Sequence, residues 1–449
     1  LKASILYLTY DGLNDPLGQS QILPYLEGLA EKGYGITVIS FEKSASADSF
    51  VTLRSPMKAM EDKKPTANSQ QLRAIQLNYH KSPPVLSTLY DIYLLKKAVK
   101  KAFKNQQIDI IHCRSYITSL VGLWAKRKYG VKFIFDMRGF WADERVEGGL
   151  WNLKNPVFKS IYQYFKRKEK EFLLESDVTV SLTENAKEEI EQSIIAKNLI
   201  QRSASTRANI EVIPTCADLC LFDPQKAPIG KSRELRKKLG IGQDDFVLLY
   251  LGSLGTWYML KEMLDFFAKL KLEIGDRESE VQSQKSKVEN ENTENRNSSK
   301  LKFVFLTKEQ NVIRHTIEGR GMDKGDFVVS SCPREQVPNY ISVCDASIFF
   351  IIPTYSKKAS SATKMGEIMA MGKPVITNTG WGDVEEIMTE SAGVLVTELS
   401  DDGYQQAIRR MSNSKFDAQY IRKQAVALFS LQNGVEKYDA IYHQLMFDR

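Results

Sequence analysis

Short runs of apolar, β-branched and aromatic residues alternate along nearly the whole chain with stretches of helical periodicity, the pattern of βα units on parallel sheets. One series of strand-like runs stands at 4–9, 36–41, 74–79, 109–112, 132–136, 178–181 and 210–213. A second stands at 246–251, 302–306, 327–330, 346–351, 374–377 and 393–396. Each series alone can build a doubly wound sheet. In the first, a helix over 19–32 puts Ile22, Leu26 and Leu29 on one face and stops at Gly33. A helix from Ser115 stops likewise at Gly130. Residues 222–230 carry two prolines and a glycine without periodicity and read as the interdomain hinge. Residues 277–300 are rich in Ser, Asn, Gln, Glu and Lys, with Val281 and Val288 the only apolar side chains, which predicts a disordered surface insertion. The stretch 50–69 reads as a long loop, and helical stretches over 417–431 and 435–446 close the chain.

Composition narrows the class. With 449 residues, 43% hydrophobic and 26% charged, the chain is long enough for two large domains and too apolar to be disordered throughout. A net charge of +7 suits an anionic ligand or an anionic membrane surface, without the concentrated basic stripe of a nucleic-acid binder. Five scattered cysteines make neither a disulfide framework nor a zinc site, so a reducing, cytoplasmic setting is expected. No apolar run reaches the ~18 residues of a membrane-spanning helix, and residues 1–9 read as a strand and not as a secretory signal.

Ligands of doubly wound sheets sit outside the carboxyl ends of the strands, so the strand-to-helix junctions carry the candidate chemistry. At 360–376, Ser360, Ser361 and Thr363 open a helix whose free N–H groups form an anion site, and Lys364 adds a positive charge. Glu367, four residues after Thr363, shares that helix face and can accept hydrogen bonds from a ribose diol, although an ordinary amphipathic helix with a solvated Glu has the same spacing. Gly252 and Gly255 follow the first strand of the second series and permit close approach to a phosphate. Asp136 ends an apolar strand, with Arg138, Trp141, Asp143 and Glu144 in the loop beyond; it either faces the crevice or caps the turn while Arg138 pairs with a nearby acid. His112, also at a strand end, is open to either reading. The turn-rich loop 11–21 after the first strand contains no G-x-G-x-x-G.

The 360–376 segment resembles the donor-binding signature of the family-4 glycosyltransferases, retaining nucleotide-sugar enzymes of GT-B fold. In that family the second Glu of an E-x7-E motif binds the donor ribose, and Glu367 matches it. Eight residues earlier, where many members have a first Glu on the donor sugar, this chain has Ala359. Family members often carry Gly-Arg and a following Lys after the second domain's first strand; here Gly252 is followed by Ser253, with Lys261 the nearest lysine. The resemblance makes Gly18, Gln19, Gly252, Gly255, Lys261, Arg334, Thr363, Lys364 and Glu367 donor-binding candidates. It makes Asp136 and Arg138 the catalytic candidates on the acceptor side.

What the resemblance implies is two Rossmann-like domains facing across a cleft: an acceptor-binding domain over 1–222, a nucleotide-sugar domain over 231–416 with the insertion 277–300, and helices over 417–449 returning to the first domain. The implied reaction is retaining and metal-independent transfer from a nucleotide-diphosphate sugar to a saccharide or lipid-linked acceptor, in cell-surface polysaccharide or glycolipid synthesis. No cofactor, metal site or nucleic-acid partner is expected, and no Asp-x-Asp triplet occurs in the sequence. A nucleotide-sugar 2-epimerase of the same fold, or a non-catalytic nucleotide-sugar-binding relative, are the alternatives. Two basic helices, 94–105 with its five lysines and 158–172, are either solvated faces or a peripheral attachment to the inner face of an anionic membrane.

Overall fold

A computed structural model describes residues 2–43, 50–52, 72–196, 209–227, 229–285 and 300–447. The chain forms two compact units. The first comprises Leu1–Cys216, Tyr355–Ser361 and Phe429–Arg449, and the second comprises Ala217–Thr354 and Ala362–Leu428.

In the first unit the strands are β1 (Ser4–Leu8), β2 (Gly35–Glu42), β3 (Phe50–Thr52), β4 (Leu72–Asn78), β5 (Ile110–Arg114), β6 (Lys132–Asp136), β7 (Val178–Ser181) and β8 (Ile210–Val212). They order as β3-β4-β2-β1-β5-β6-β7-β8. All pairs are parallel except β3 with β4. The helices are α1 (Pro16–Gln21), α2 (Leu23–Glu31), α3 (Leu86–Asn105), α4 (Ser115–Tyr129), α5 (Trp141–Glu147), α6 (Pro156–Glu175) and α7 (Glu184–Ala196).

Strand alternation divides the core into two layers. Leu6, Leu8, Ile111, Phe133 and Phe135 face α3, α4 and α6, whereas Ile5, Tyr7, Ile110 and Ile134 face α2 and the final helix of the chain. Because helices cover both faces, these strands are apolar at successive positions instead of alternating with polar ones. Order reverses between β1 and β5, so the loops after those two strands border the crevice of this unit.

The second unit contains β9 (Phe246–Leu251), β10 (Leu301–Leu306), β11 (Phe327–Ser330), β12 (Ala346–Ile348), β13 (Val375–Asn378) and β14 (Gly393–Val396), all parallel, ordered β11-β10-β9-β12-β13-β14. Its helices are α8 (Ile229–Lys238), α9 (Leu260–Lys285), α10 (Gln310–Gly319), α11 (Val337–Val343), α12 (Thr363–Ala370), α13 (Val384–Ile387), α14 (Asp401–Asn413) and α15 (Ala418–Phe429). The order is that of a dinucleotide-binding sheet, with its reversal between β9 and β12. The last helix, α16 (Leu431–Phe447), belongs to the first unit, where Val435, Tyr438, Ile441 and Tyr442 are buried against α2 and the sheet.

Several local expectations change. The helix expected over 19–32 is split at Ile22, because Pro24 in the first turn of α2 has no N–H to continue the ladder. Residues 50–52 of the stretch expected to be a loop form an edge strand, and 53–69 lie outside the described residues. The polar stretch 277–300 begins as helix, since α9 runs on to Lys285 through good helix formers, and 286–299 lie outside the described residues. The strand expected over 346–351 ends at Ile348. Beyond it, Asn378 bonds both backbone groups of Ile351: the amide donates to Oδ1 at 2.8 Å and the carbonyl accepts from Nδ2 at 2.8 Å. The chain leaves the first unit at Cys216, ahead of the proline-rich stretch, and Phe222 is already buried in the second unit. Among the described residues no helix is long and apolar enough to cross a membrane.

Candidate active site

In the second unit the crevice is built by the ends of β9 and β12 and by α12. Gly252, directly after β9, has φ +110°, and a Cβ there would lie 3.1 Å from Lys364 Nζ. Only glycine combines that left-handed backbone with so close an approach. Gly255 also has positive φ, at +32°, and a Cβ there would lie 3.9 Å from Ser253 Oγ, an ordinary contact.

Lys364, in the first turn of α12, is buried, and its Nζ has no hydrogen-bond partner. The ammonium lies 3.6 Å from the Tyr258 ring centre, 4.3 Å from that of Tyr250 and 5.5 Å from that of Phe349. Burial drives its pKa well below the ordinary value, with only Glu367 opposing. Thr363 opens the helix after Ala362, and no side chain caps the turn, so its first N–H groups are unclaimed by any cap.

Glu367, one turn on, is buried, and its Oε1 lies 2.8 Å from Arg334 Nη2. This is a close ion contact in which the guanidinium does not align a hydrogen bond on that oxygen. Burial raises the carboxyl pKa, opposed by Arg334 and Lys364 and reinforced by Asp218. Arg334 also lies over the Phe222 ring at 5.3 Å. Gly252, Arg334, Lys364 and Glu367 are therefore gathered at the sheet's reversal point, together with Thr363. Lys261 is exposed on the first turn of α9, its carbonyl accepting from Arg320 Nη1 at 3.1 Å, and it joins none of these contacts. Ser361, expected to help open α12, lies in the first unit, where its Oγ engages the Thr215 amide at 3.1 Å and hydroxyl at 2.8 Å.

The first unit concentrates charge at its own reversal point. Asp136, 1% exposed, accepts from the Tyr438 hydroxyl at 3.2 Å through Oδ2, with His112 Nε2 at 3.6 Å and Arg114 Nη1 at 3.9 Å from the same oxygen. Arg138 Nη1 lies 3.8 Å from Oδ1. Burial pushes the Asp136 carboxyl up, but Arg138, His112 and Arg114 together hold it below its usual value. Burial lowers the His112 pKa, and its Nδ1 is 2.7 Å from the Tyr442 hydroxyl. Asp136 is thus enclosed by side chains of its own unit and almost wholly shielded from solvent. Arg138 is held at φ +57°, a left-handed conformation that non-glycine residues adopt at a cost of about 1–3 kcal/mol.

Gly18 and Gln19 shape the loop after β1. A Cβ on Gly18 would lie 2.2 Å from the Gly12 carbonyl oxygen, and Gln19 Nε2 donates to the Leu13 carbonyl at 2.8 Å. Glu42, at the end of β2, accepts from the Leu13 amide at 2.7 Å, and Arg114 Nε lies 3.3 Å from Asp11 Oδ2. Residues 141–147, expected in a loop, form α5. There Asp143 accepts from Tyr162 at 2.7 Å and Lys166 at 2.8 Å, and Glu144 accepts from Lys357 at 2.5 Å.

Four residues went unread in the sequence: Tyr250 and Tyr258 around the lysine, Glu42 under the first loop, and Tyr438 on Asp136. The two tyrosines flank the glycines in one segment, but their spacing does not say that their rings meet a lysine 106 or more residues away. Glu42 and Tyr438 carry no local signal, because their partners lie 29 and 302 residues away.

Residues 21–219 match the family described as Glycosyltransferase Family 4, and residues 231–427 match that described as Glycosyl transferases group 1. A curated relative, "Putative glycosyltransferase EpsD" of Bacillus subtilis (strain 168), is 27% identical over 181 residues, 40% of this chain and 42% of the relative. The alignment thus spans less than half of that relative's length. Among solved structures, the trehalose-6-phosphate protein of E. coli bound with UDP-2-fluoro glucose superposes with TM-score 0.65 at 13% identity, covering 100% of both chains. Sucrose-phosphate synthase of Thermosynechococcus elongatus superposes with TM-score 0.64 at 15% identity, covering 99% of both. At such identities the likeness is one of fold, and that fold is GT-B.

Proposed function

The chain belongs to the family-4 glycosyltransferases, and from that premise we propose that it moves a sugar, with retention and without a metal, from a nucleotide-diphosphate donor to a saccharide or lipid-linked acceptor. The observation that carries the donor half is the buried, unpartnered Lys364 ammonium beside Gly252, one helical turn from Glu367. A buried cation with no acceptor is costly unless a ligand anion completes it, and the donor's diphosphate is such an anion. Glu367 would take the ribose hydroxyls, with Arg334 holding its carboxylate in place. That a structural neighbour holds UDP-2-fluoro glucose supports a uridine sugar as the first donor to test.

In the transfer, the bond from the anomeric carbon to the diphosphate breaks as the bond to the acceptor oxygen forms, and negative charge grows on the leaving diphosphate. Lys364 and the uncapped first turn of α12 are preorganised to stabilise that charge. Gly252 and Gly255 let the backbone approach it, Thr363 adds a hydroxyl, and Lys261 plays no first part in this reading. On the acceptor side, Asp136 is proposed as the positioning group for Arg138 and His112, because its own oxygens are enclosed. Gly18 and Gln19 hold the neighbouring loop in shape. The setting would be the cytoplasmic face of a membrane, in polysaccharide or glycolipid synthesis.

Incubation with a panel of nucleotide sugars, with and without lipid-linked and oligosaccharide acceptors, followed by mass spectrometry, tests the reading. Acceptor-dependent sugar transfer is the expected result. Product from UDP-N-acetylglucosamine with no acceptor would show an epimerase, and nucleotide binding without turnover would show a non-catalytic relative.

A further inference from the structure

In the second turn of α3, at the carboxyl edge of the first unit's sheet, Asp91 is wholly buried. Three donors meet its carboxylate. Oδ2 accepts from the Tyr10 hydroxyl at 2.7 Å and from the His80 amide at 3.3 Å, and Oδ1 lies 2.6 Å from His80 Nδ1. A carboxylate is tolerated in such a place only where protein donors replace its water. Here they come from separate parts of the chain, since Tyr10 stands two residues beyond β1 and His80 two beyond β4. Tyr10 is fixed in turn by the Phe41 ring at 4.9 Å and the Tyr79 ring at 5.5 Å. The imidazole of His80 is therefore anchored from within, on a group tied to the loop after β1.

The other side of that imidazole is open, the side chain being 39% exposed. With a carboxylate on Nδ1, the hydrogen of the neutral ring lies on Nδ1, and Nε2 is left as an acceptor. No described residue bonds it. Tyr90 packs against the imidazole edge to face at 5.0 Å, and Tyr93 stacks on Tyr90 at 6.4 Å with 26° between the rings. Tyr90 is 51% exposed and Tyr93 60%. Three half-exposed rings thus form one row that ends in a fixed hydrogen-bond acceptor. Tyr93 is two turns into α3, about 10 Å from its start, so the row stays near the carboxyl ends of the strands.

We propose that this row is a saccharide subsite of the first unit, with His80 as its hydrogen-bonding arm. The C–H face of a pyranose lies on Tyr90 and Tyr93, and a ring hydroxyl donates to His80 Nε2. Tyrosine supplies rigid apolar area with a polar tip at small entropic cost, which suits a ligand that is apolar on its faces and hydroxylated around its edge. Because Asp91 fixes the imidazole, the direction of the acceptor is set before the ligand arrives. An acyl chain has no use for a fixed acceptor, and a phosphate finds no hydrogen on Nε2 of the neutral ring. This deepens the acceptor side of the proposed function and rests on that reading only for the claim that the bound saccharide is the acceptor.

The test is saturation-transfer NMR of the full chain with the methyl pyranosides of glucose, galactose, mannose and N-acetylglucosamine, repeated with UDP present. Transfer to the ring C–H protons of at least one pyranoside, undiminished by UDP, is the expected result. The Tyr90→Ala, Tyr93→Ala double variant should weaken that sugar's binding by about tenfold or more. His80→Ala should weaken it about fivefold, the worth of one neutral hydrogen bond, and His80→Gln, which returns an acceptor oxygen at the reach of Nε2, should come within about twofold of wild type. Circular dichroism and calorimetry with UDP should find the variants folded and unchanged in nucleotide binding. In transfer assays the same factors should appear in KM for a saccharide acceptor, with kcat held. No pyranoside binding, binding that survives the double variant, or displacement by UDP overturns the proposal. So does a sugar-free dimer in sedimentation velocity that the double variant abolishes, which would make the row a contact between copies. Saccharide binding without transfer from any nucleotide sugar would leave the subsite standing and overturn the proposed function instead.

Discussion

Replacing Lys364 by Met separates what the lysine does for the ligand from what it costs the unliganded fold. Met keeps the length of the side chain and removes the charge. In the unliganded protein the ammonium has no hydrogen-bond partner, and its nearest compensation is the Tyr258 ring at 3.6 Å. An unsatisfied buried donor costs about 1–3 kcal/mol, and more when charged. The ring contacts return about 0.5–2 kcal/mol. Lys364→Met should therefore stabilise the unliganded protein by about 1 kcal/mol, a rise of about 2–4 °C in Tm for a domain of this size. The same change should weaken binding of a nucleoside diphosphate by about 1.5–3 kcal/mol, the worth of a charge-assisted contact. The pH dependence has a fixed sign. Burial depresses the lysine's pKa in the folded state below the ordinary 10.5, so between those two values the unfolded chain binds more protons. Wild-type stability should then rise with pH across that window, and the Met variant should show no such contribution. Thermal unfolding across neutral to alkaline pH, with calorimetry of UDP and uridine, measures all three effects. A lower Tm for the variant together with undiminished diphosphate affinity would refute the reasoning.

Glu367→Ala should weaken donor binding by roughly 2–3 kcal/mol through the loss of charge-assisted hydrogen bonds, and unchanged affinity in calorimetry would exclude its ribose role. Because burial raises the Glu367 pKa, wild-type donor affinity should fall on acidification sooner than an ordinary glutamate would give, and a flat profile across mildly acidic pH would count against it. Gly252→Ala forces a side chain into φ +110° and against Lys364 Nζ, so a loss of about 1–2 kcal/mol in stability is expected, with diphosphate affinity falling alongside; thermal unfolding and calorimetry on one sample check both. Tyr438→Phe removes the hydroxyl that Asp136 accepts, which should cost about 1 kcal/mol and slow transfer while sparing nucleotide affinity; a matched loss of nucleotide binding would assign the tyrosine elsewhere.

The alternation of apolar runs and helical periodicity placed the strands because each parallel strand buries both faces, which makes runs such as Lys132–Asp136 and Phe246–Leu251 stand out from their flanks. Pairing order was not legible in the same way. Nothing local in β1 says that it lies between β2 and β5. That order is nevertheless what turns Gly252 and Lys364 into neighbours, by setting the end of β9 beside that of β12. The helix of Lys364 and Glu367 was legible because its cues fall within one turn. The tyrosine cage was not, because cation–π contact depends on ring placement and not on spacing.

Ala359 shows how the site and the fold constrain each other. In sequence it is a departure, standing where many family members have a glutamate. In the structure it closes a 3-10 turn, Tyr355–Ala359, that belongs to the first unit although its neighbours in sequence belong to the second. That turn is fastened by Lys357 to Glu144, by Lys358 to Glu189 and by the Ser356 amide to Glu147, while Tyr355 stacks on Phe140 at 5.0 Å. Ala359 itself is 3% exposed within the apolar cluster that holds Phe140 and Ala142. A carboxylate there would be buried among apolar side chains, and the nearest cations of the turn are already paired. The small residue thus fits the turn's attachment to α5, and in the proposed function the diphosphate contacts fall to Lys364 and the start of α12.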